Sequence, residues 1–160
     1  MHALKPLSVG LALLGCNTAF AATDLYFSEY IEGSSFNKAL EIYNNTGAAV
    51  DLSGYQILQH TNGSTGTSLS FTLSGTLAQG ATYVFAHSSA NASILAKANQ
   101  TSGAGLFNGD DAISLVHSGV VIDVIGQIGN DPGTQRGADL QSTADNTLRR
   151  KATVDAGRTN

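Results

Sequence analysis

The 160-residue chain is 42% hydrophobic and only 12% charged. That composition excludes the charge-rich signature of a disordered segment and suits one folded domain. A formal net charge of -4 excludes a general nucleic-acid-binding surface, though not a local basic patch. Gly is frequent at 18 residues and Pro scarce at 2, which implies many turns between short apolar runs and hence an all-β domain.

The first residues, MHALKPLSVGLALLGCNTAFAATD, read as an export signal. His2 and Lys5 precede an apolar run from Leu7 to Leu14, and Ala19-Phe20-Ala21 is a small-x-small cleavage site. The run is too short for a permanent membrane anchor. Cleavage after Ala21 gives a signal peptide over 1–21 and a mature domain over 22–160. Loss of Lys5 then takes the formal net charge from -4 to -5. The alternative is lipoprotein processing at Leu13-Leu14-Gly15-Cys16, in which Leu14 is an unusual residue. Both routes export the chain, to the extracellular space or periplasm in the first case and to the outer membrane as a Cys16-linked lipoprotein in the second. Cys16 is the only cysteine, so after cleavage at Ala21 the domain is held by packing rather than by a disulfide.

From Asp24 onward the periodicity is two. In DLYFSEYIE, Leu25, Phe27 and Ile31 alternate with Tyr26, Ser28 and Tyr30, the pattern of a half-buried strand. Glu29 falls on the apolar parity. ALEIY (39–43) is a second strand, followed by the turn Asn44-Asn45-Thr46-Gly47. AAVDLSGYQILQH holds one or two more strands, and TNGSTGTS (61–68) is a polar loop. SLSFTL (68–73) and residues 82–87 are further strands. SSANASILAKANQ (88–100) breaks the pattern: Ile94, Leu95 and Ala98 suggest one short helix capped by Ser88 or Ser89. AISLVH (112–117) and VVIDVIG (120–126) form a hairpin across Ser118-Gly119. A long polar loop leads to the last strand candidate, TLRRKATV (147–154). About eight short strands and one short helix make an immunoglobulin-like β-sandwich.

FSEYIEGSSFNKALEIYNNTGAAVDLSGYQI resembles the opening of lamin-tail domains, in particular bacterial ones: an acidic strand, a LEIYN-type strand, then VDLSGY. FNGDDAISL, IDVIGQIGNDPG and TADNTLRRK extend the resemblance over nearly all of 24–155. Together they are similar to the N-terminal lamin-tail domain of large secreted bacterial nucleases, where an endonuclease/exonuclease/phosphatase-type domain lies downstream. The resemblance implies a lamin-tail-type immunoglobulin-like β-sandwich. The chain departs from the family pattern at Gln135-Arg136, where the polar loop usually carries an aromatic residue. It also stops at Asn160 where larger relatives continue, which leaves three alternatives for 22–160: a fragment, a product of a gene truncated at its C-terminal end, or a free-standing version. The implied role is non-catalytic. This chain is expected not to be an enzyme but an accessory or binding domain of a nuclease acting on extracellular DNA. The alternative is a stand-alone adhesion or cell-envelope interaction module, with a protein or glycan partner.

Four sets of residues can carry chemistry. Asn108, Asp110 and Asp111 offer oxygens suited to a structural calcium ion, but Asn-Gly is also among the strongest turn signals, and the spacing is not that of an EF-hand. No other cofactor is expected. Arg149, Arg150 and Lys151 form the one basic cluster, to which Arg136 can add. They read either as a DNA phosphate contact or as internal ion pairs, and three adjacent cations on a strand can place at most two on one face. Glu29, Glu32 and Glu41 are the only glutamates. On mostly apolar strands they need partners, and Arg149, Arg150 and Lys151 are the candidates for structural ion pairs. Asp123, in an alternating strand, is expected to face solvent. His60, His87 and His117 lack metal-ligand spacing, no G-x-S-x-G elbow is present, and Trp is absent. These features leave a small hydrolase as the least supported reading.

Overall fold

The structure is a computed structural model in which residues 22–159 are described. The expected signal segment, its cleavage site and Cys16 lie outside the described residues. Eleven strands occur among them: β1 (Tyr26–Glu32), β2 (Lys38–Tyr43), β3 (Val50–Asp51), β4 (Tyr55–His60), β5 (Leu69–Thr72), β6 (Thr76–Leu77), β7 (Thr82–His87), β8 (Gln100–Ser102), β9 (Ala112–His117), β10 (Val120–Ile125) and β11 (Asn146–Arg149). One α-helix, α1 (Ala92–Leu95), and three single-turn 3-10 helices, Leu52–Gly54, Thr61–Gly63 and Asp139–Gln141, interrupt them.

A five-stranded sheet in the order β11-β1-β2-β7-β8 faces a four-stranded sheet in the order β10-β9-β4-β5, and β3 pairs with β6 alone. The pairings are antiparallel except β7 with β8. The expected immunoglobulin-like β-sandwich is therefore the fold. Its core is built from alternate residues of both sheets, with Phe27, Leu40, Ile42 and Phe85 against Ile57, Ile113 and Leu115. Each such side chain removed from water contributes about 1.5–3 kcal/mol. Phe107 adds an aromatic lid from the loop before β9, with its ring centroid 4.9 Å from that of Tyr30.

Two β-bulges overturn the simple alternation. In β1 the register shifts between Phe27 and Glu29, so Ser28 is the extra residue. Leu25 and Phe27 point into the core, but beyond the bulge Tyr30 takes the inward place and Ile31 shares the outer face with Glu29. The odd parity of Glu29 is thereby removed. In β10 the register shifts between Val121 and Asp123. Asp123 lands opposite the core residue Leu115 and is fully buried, contrary to the solvent-facing position expected from alternation.

The helix is shorter than its Ala-rich sequence suggests and begins later. Asn91 is its N-cap, accepting from the Ile94 amide at 3.2 Å. Ser88 and Ser89 belong to the turn before it: the Ser88 amide bonds Ser102 across the β7–β8 pair, and the Ser89 amide donates to His87 Nδ1.

Candidate functional site

The β1 bulge creates a transverse row of side chains on the outer face of the five-stranded sheet. Arg149 of β11 pairs in register with Glu29 of β1, Glu29 with Glu41 of β2, and Glu41 with Val84 of β7. One cation, two carboxylates and one aliphatic residue thus lie side by side. The row forms the floor of a groove of about 640 Å³. Ile31 and Ala39 extend the floor, and the α1 segment supplies a wall with Ile94 and Lys97. Arg149 Nε sits 3.2 Å from Glu29 Oε1, with 75% of the arginine side chain exposed against 18% of the glutamate. Glu41 Oε1 accepts a 2.7 Å hydrogen bond from the Ser28 hydroxyl, the bulge residue itself. Lys97 is not within ion-pair distance of either carboxylate. The groove therefore gathers Glu29, Glu41 and Arg149 from the residues singled out in the sequence. Ser28, Ile31, Val84 and Ile94 have no sequence signal beyond ordinary strand and helix patterning.

The other basic residues are divided between interior and surface. Arg150 turns inward. Its Nε donates to the Phe27 carbonyl at 2.7 Å, Nη2 to Asp123 Oδ2 at 2.6 Å and Nη1 to the Ala156 carbonyl at 3.1 Å. Its guanidinium carbon also lies 5.5 Å from the Tyr26 ring centroid. Asp123 is equally committed, accepting from the amides of Phe27, Val124 and Arg158 as well as from Arg150. This knot ties β1, β10 and the C-terminal segment together. Arg150 is thus removed from any phosphate-facing patch, and its partner is the aspartate rather than a glutamate. Arg136 organises its own loop, donating to the Asn130 side chain and to the carbonyls of Gln127 and Asn130. Arg149 and Lys151 remain exposed.

Glu32 also has an unexpected partner. It is buried and pairs with Lys38, its cross-strand neighbour, while accepting from the Asp145 amide. It thereby fastens the segment before β11 to β1.

The Asn108-Gly109-Asp110-Asp111 segment is a turn leading into β9. Gly109 has φ +110, and a Cβ there would lie 2.8 Å from that of Ala144, so the position demands glycine. Asp111 staples the turn to the polar loop after β4: it accepts from the Asn62 amide at 3.0 Å and from Gln59 Nε2 at 3.1 Å. Burial pushes the Asp111 carboxyl above the usual aspartate range, the Asn62 amide opposing the shift and Asp110 adding to it. Asp110 Oδ1 is buried without a hydrogen-bond partner, and Asn108 is exposed. Among the described residues, no group of three or more His, Cys, Asp and Glu is placed to hold a metal ion.

A further polar cluster escaped the sequence. Asp24 accepts from the Tyr55 hydroxyl at 2.6 Å and lies 2.7 Å from His117 Nδ1, whose ring stacks on Tyr55 at 4.1 Å between centroids. Burial first, then the Asp24 carboxylate, hold the Tyr55 hydroxyl well above the ordinary tyrosine range, which keeps it a donor. The cluster clamps the residues before β1 onto the β9–β10 hairpin. Proximity in the fold, ninety-three positions apart for Asp24 and His117, is what no local pattern could reveal.

A two-sheet sandwich with a groove on one outer face defines a module of the immunoglobulin-like class. The profile of the Lamin Tail Domain family matches residues 18–129. That span is more than half of the 160 residues, and the chain belongs to the lamin-tail domain family, a family of non-catalytic immunoglobulin-like domains. No curated protein matches the chain. The segment from 130 onward lies beyond the matched span but is integral to the fold, since β11 completes the five-stranded sheet. No helix among the described residues is long and apolar enough to cross a membrane.

Proposed function

We propose that this lamin-tail domain is an exported accessory module of a secreted nuclease, holding a downstream catalytic domain close to extracellular DNA. The observation that carries this reading is the exposure of Arg149 and Lys151 at the end of β11. Exposed cations can contact phosphates without reading bases, the kind of contact that positions a protein on a duplex. The patch is smaller than the sequence suggests, because Arg150 and Arg136 are occupied internally, so the affinity is low and strongly dependent on salt. Two phosphate contacts give a slope of log affinity against log salt of about -2. Titration of labelled duplex DNA at several salt concentrations, with Arg149→Glu/Lys151→Glu beside the parent, tests this. Binding with that slope, lost in the double variant, is the expected result. A slope near zero, or binding unaffected by the substitutions, rejects it. Reading the source DNA past codon 160 tests the nuclease link separately.

A second reading is a cell-envelope interaction or adhesion module, in its lipoprotein form attached through Cys16. The net charge of -4 and the groove beside α1 favour it, because a lining of carboxylates and aliphatic side chains suits a protein segment better than a phosphate. A structural calcium ion belongs to either reading. The buried, unpartnered Asp110 Oδ1 is the oxygen such an ion would satisfy, and backbone carbonyls and water would complete the shell. Thermal unfolding with millimolar calcium and with chelator checks this, a midpoint raised by calcium being the expected outcome and an unchanged midpoint the contrary one.

A further inference from the structure

We propose that the outer groove of the five-stranded sheet is a docking site for an extended, basic segment of a protein partner. An arginine or lysine head of that segment sits between Glu29 and Glu41, with its aliphatic stem and neighbours against Ile31, Val84 and Ile94. The inference stands independently of the DNA reading.

Glu29 and Glu41 occupy directly opposed positions on β1 and β2. Like charges at such positions are destabilising in an antiparallel pair. The protein offsets this weakly. One guanidinium serves Glu29 alone, and it comes from a side chain that is 75% exposed and makes a single 3.2 Å contact. Exposed pairs of this kind are worth about 0–1 kcal/mol and are readily displaced. Glu41 receives only the hydroxyl of Ser28. An incoming cation therefore finds two carboxylates, one of them with no cationic partner, at the bottom of a concave surface.

The surroundings select the rest of the ligand. Ile31, Val84 and Ile94 stand beside the carboxylates, and Arg and Lys side chains bury their methylene stems on such surfaces while the head meets the charge. The volume of about 640 Å³ falls within the range of ligand pockets, about 300–1,000 Å³. The overall negative charge draws a basic segment towards the surface before contact.

The test uses the full chain and two peptides, acetyl-Leu-Arg-Leu-Arg-Leu-amide and the same peptide with citrulline in place of arginine. Binding is followed by amide chemical shifts in an NMR titration. The arginine peptide is expected to move the resonances of Glu29, Ile31, Glu41 and Val84, and the citrulline peptide to bind about tenfold more weakly. Glu29→Gln/Glu41→Gln lowers affinity for the arginine peptide by at least about tenfold. The same double variant unfolds at an unchanged or higher temperature, because the repulsion between strands is gone, which separates lost binding from lost folding. Arg149→Ala removes the internal competitor and tightens binding about two- to threefold. The same substitution weakens DNA binding if the phosphate reading holds, so the two ideas fail separately. Equal binding of the two peptides, binding indifferent to the double variant, or shifts confined to residues outside the groove would overturn the proposal.

Discussion

Arg149 reaches outward to Glu29 through a single 3.2 Å contact and leaves three quarters of its side chain in water, whereas Arg150, the next residue, is withdrawn between the two sheets with all its donor nitrogens engaged. Their carboxylate partners differ in the same sense: Asp123 is fully buried and Glu29 is not. In water the high dielectric constant reduces an ion pair to a small term, while in the interior a charge left alone is costly to keep. Chemically similar pairs one residue apart therefore have opposite uses. The inner one is a fastening that must not open, and the outer one is a loose contact that a ligand can exchange.

The largest test of that contrast is to break the inner pair. Asp123→Ala leaves the Arg150 guanidinium buried without its charge partner and frees the amides of Phe27 and Arg158, and it should cost about 3–5 kcal/mol. Urea unfolding monitored by circular dichroism measures this. A loss comparable with that of an exposed ion pair would erase the distinction.

A smaller effect sharpens the comparison inside β1. The bulge that sends Glu29 outward sends Tyr30 inward, where its hydroxyl donates to the Thr143 carbonyl at 3.0 Å. Burial, reinforced by Glu32, Asp111 and Asp110, pushes the Tyr30 hydroxyl far above the ordinary tyrosine range. A group whose folded value is raised contributes stability that is fully present below its unfolded value, about 10 for tyrosine, and that is lost as pH rises towards the folded value. Unfolding free energy should accordingly fall above about pH 10. Tyr30→Phe should flatten that decline and cost about 1 kcal/mol at neutral pH through the lost hydrogen bond. A decline equally steep in the variant would locate the alkaline sensitivity elsewhere, with Tyr55 the next group to replace.

The smallest effect completes the series. Arg149→Ala should change stability by less than about 0.5 kcal/mol, visible only as a slight shift of the urea midpoint. A cost near that of Asp123→Ala would mean that the outer pair is structural, and the groove would then have no exchangeable cation.

The strands that hold the core were legible because alternation and turn residues mark them: the LEIYN strand, the VDLSGY segment and the hairpin at Ser118-Gly119 all lie where the pattern puts them. The bulges were not legible. Ser28 and Ile122 are ordinary strand residues, and the extra residue is defined by pairing with a distant strand. Both errors of facing, at Ile31 and Asp123, follow from that one cause. The two-residue β6 that pairs with β3, and the short parallel β8, were likewise missed, since a few residues cannot establish a period. The candidate site was legible in part. Its charged members are conspicuous in so sparsely charged a chain, but which arginine meets which carboxylate depends on register.

The segment after β11 has a protective consequence. The Arg158 carbonyl accepts from the Val124 amide at 2.8 Å, and Gly157 lies so close that a Cβ on it would sit 2.3 Å from the Ile122 carbonyl oxygen. The outer margin of β10 is therefore capped by its own chain rather than left as a template for another molecule. Glycine at position 157 lets the cap seat, and a larger side chain there would lift it and expose an adhesive strand. Whether that margin stays covered turns on the absence of a single methyl group at position 157.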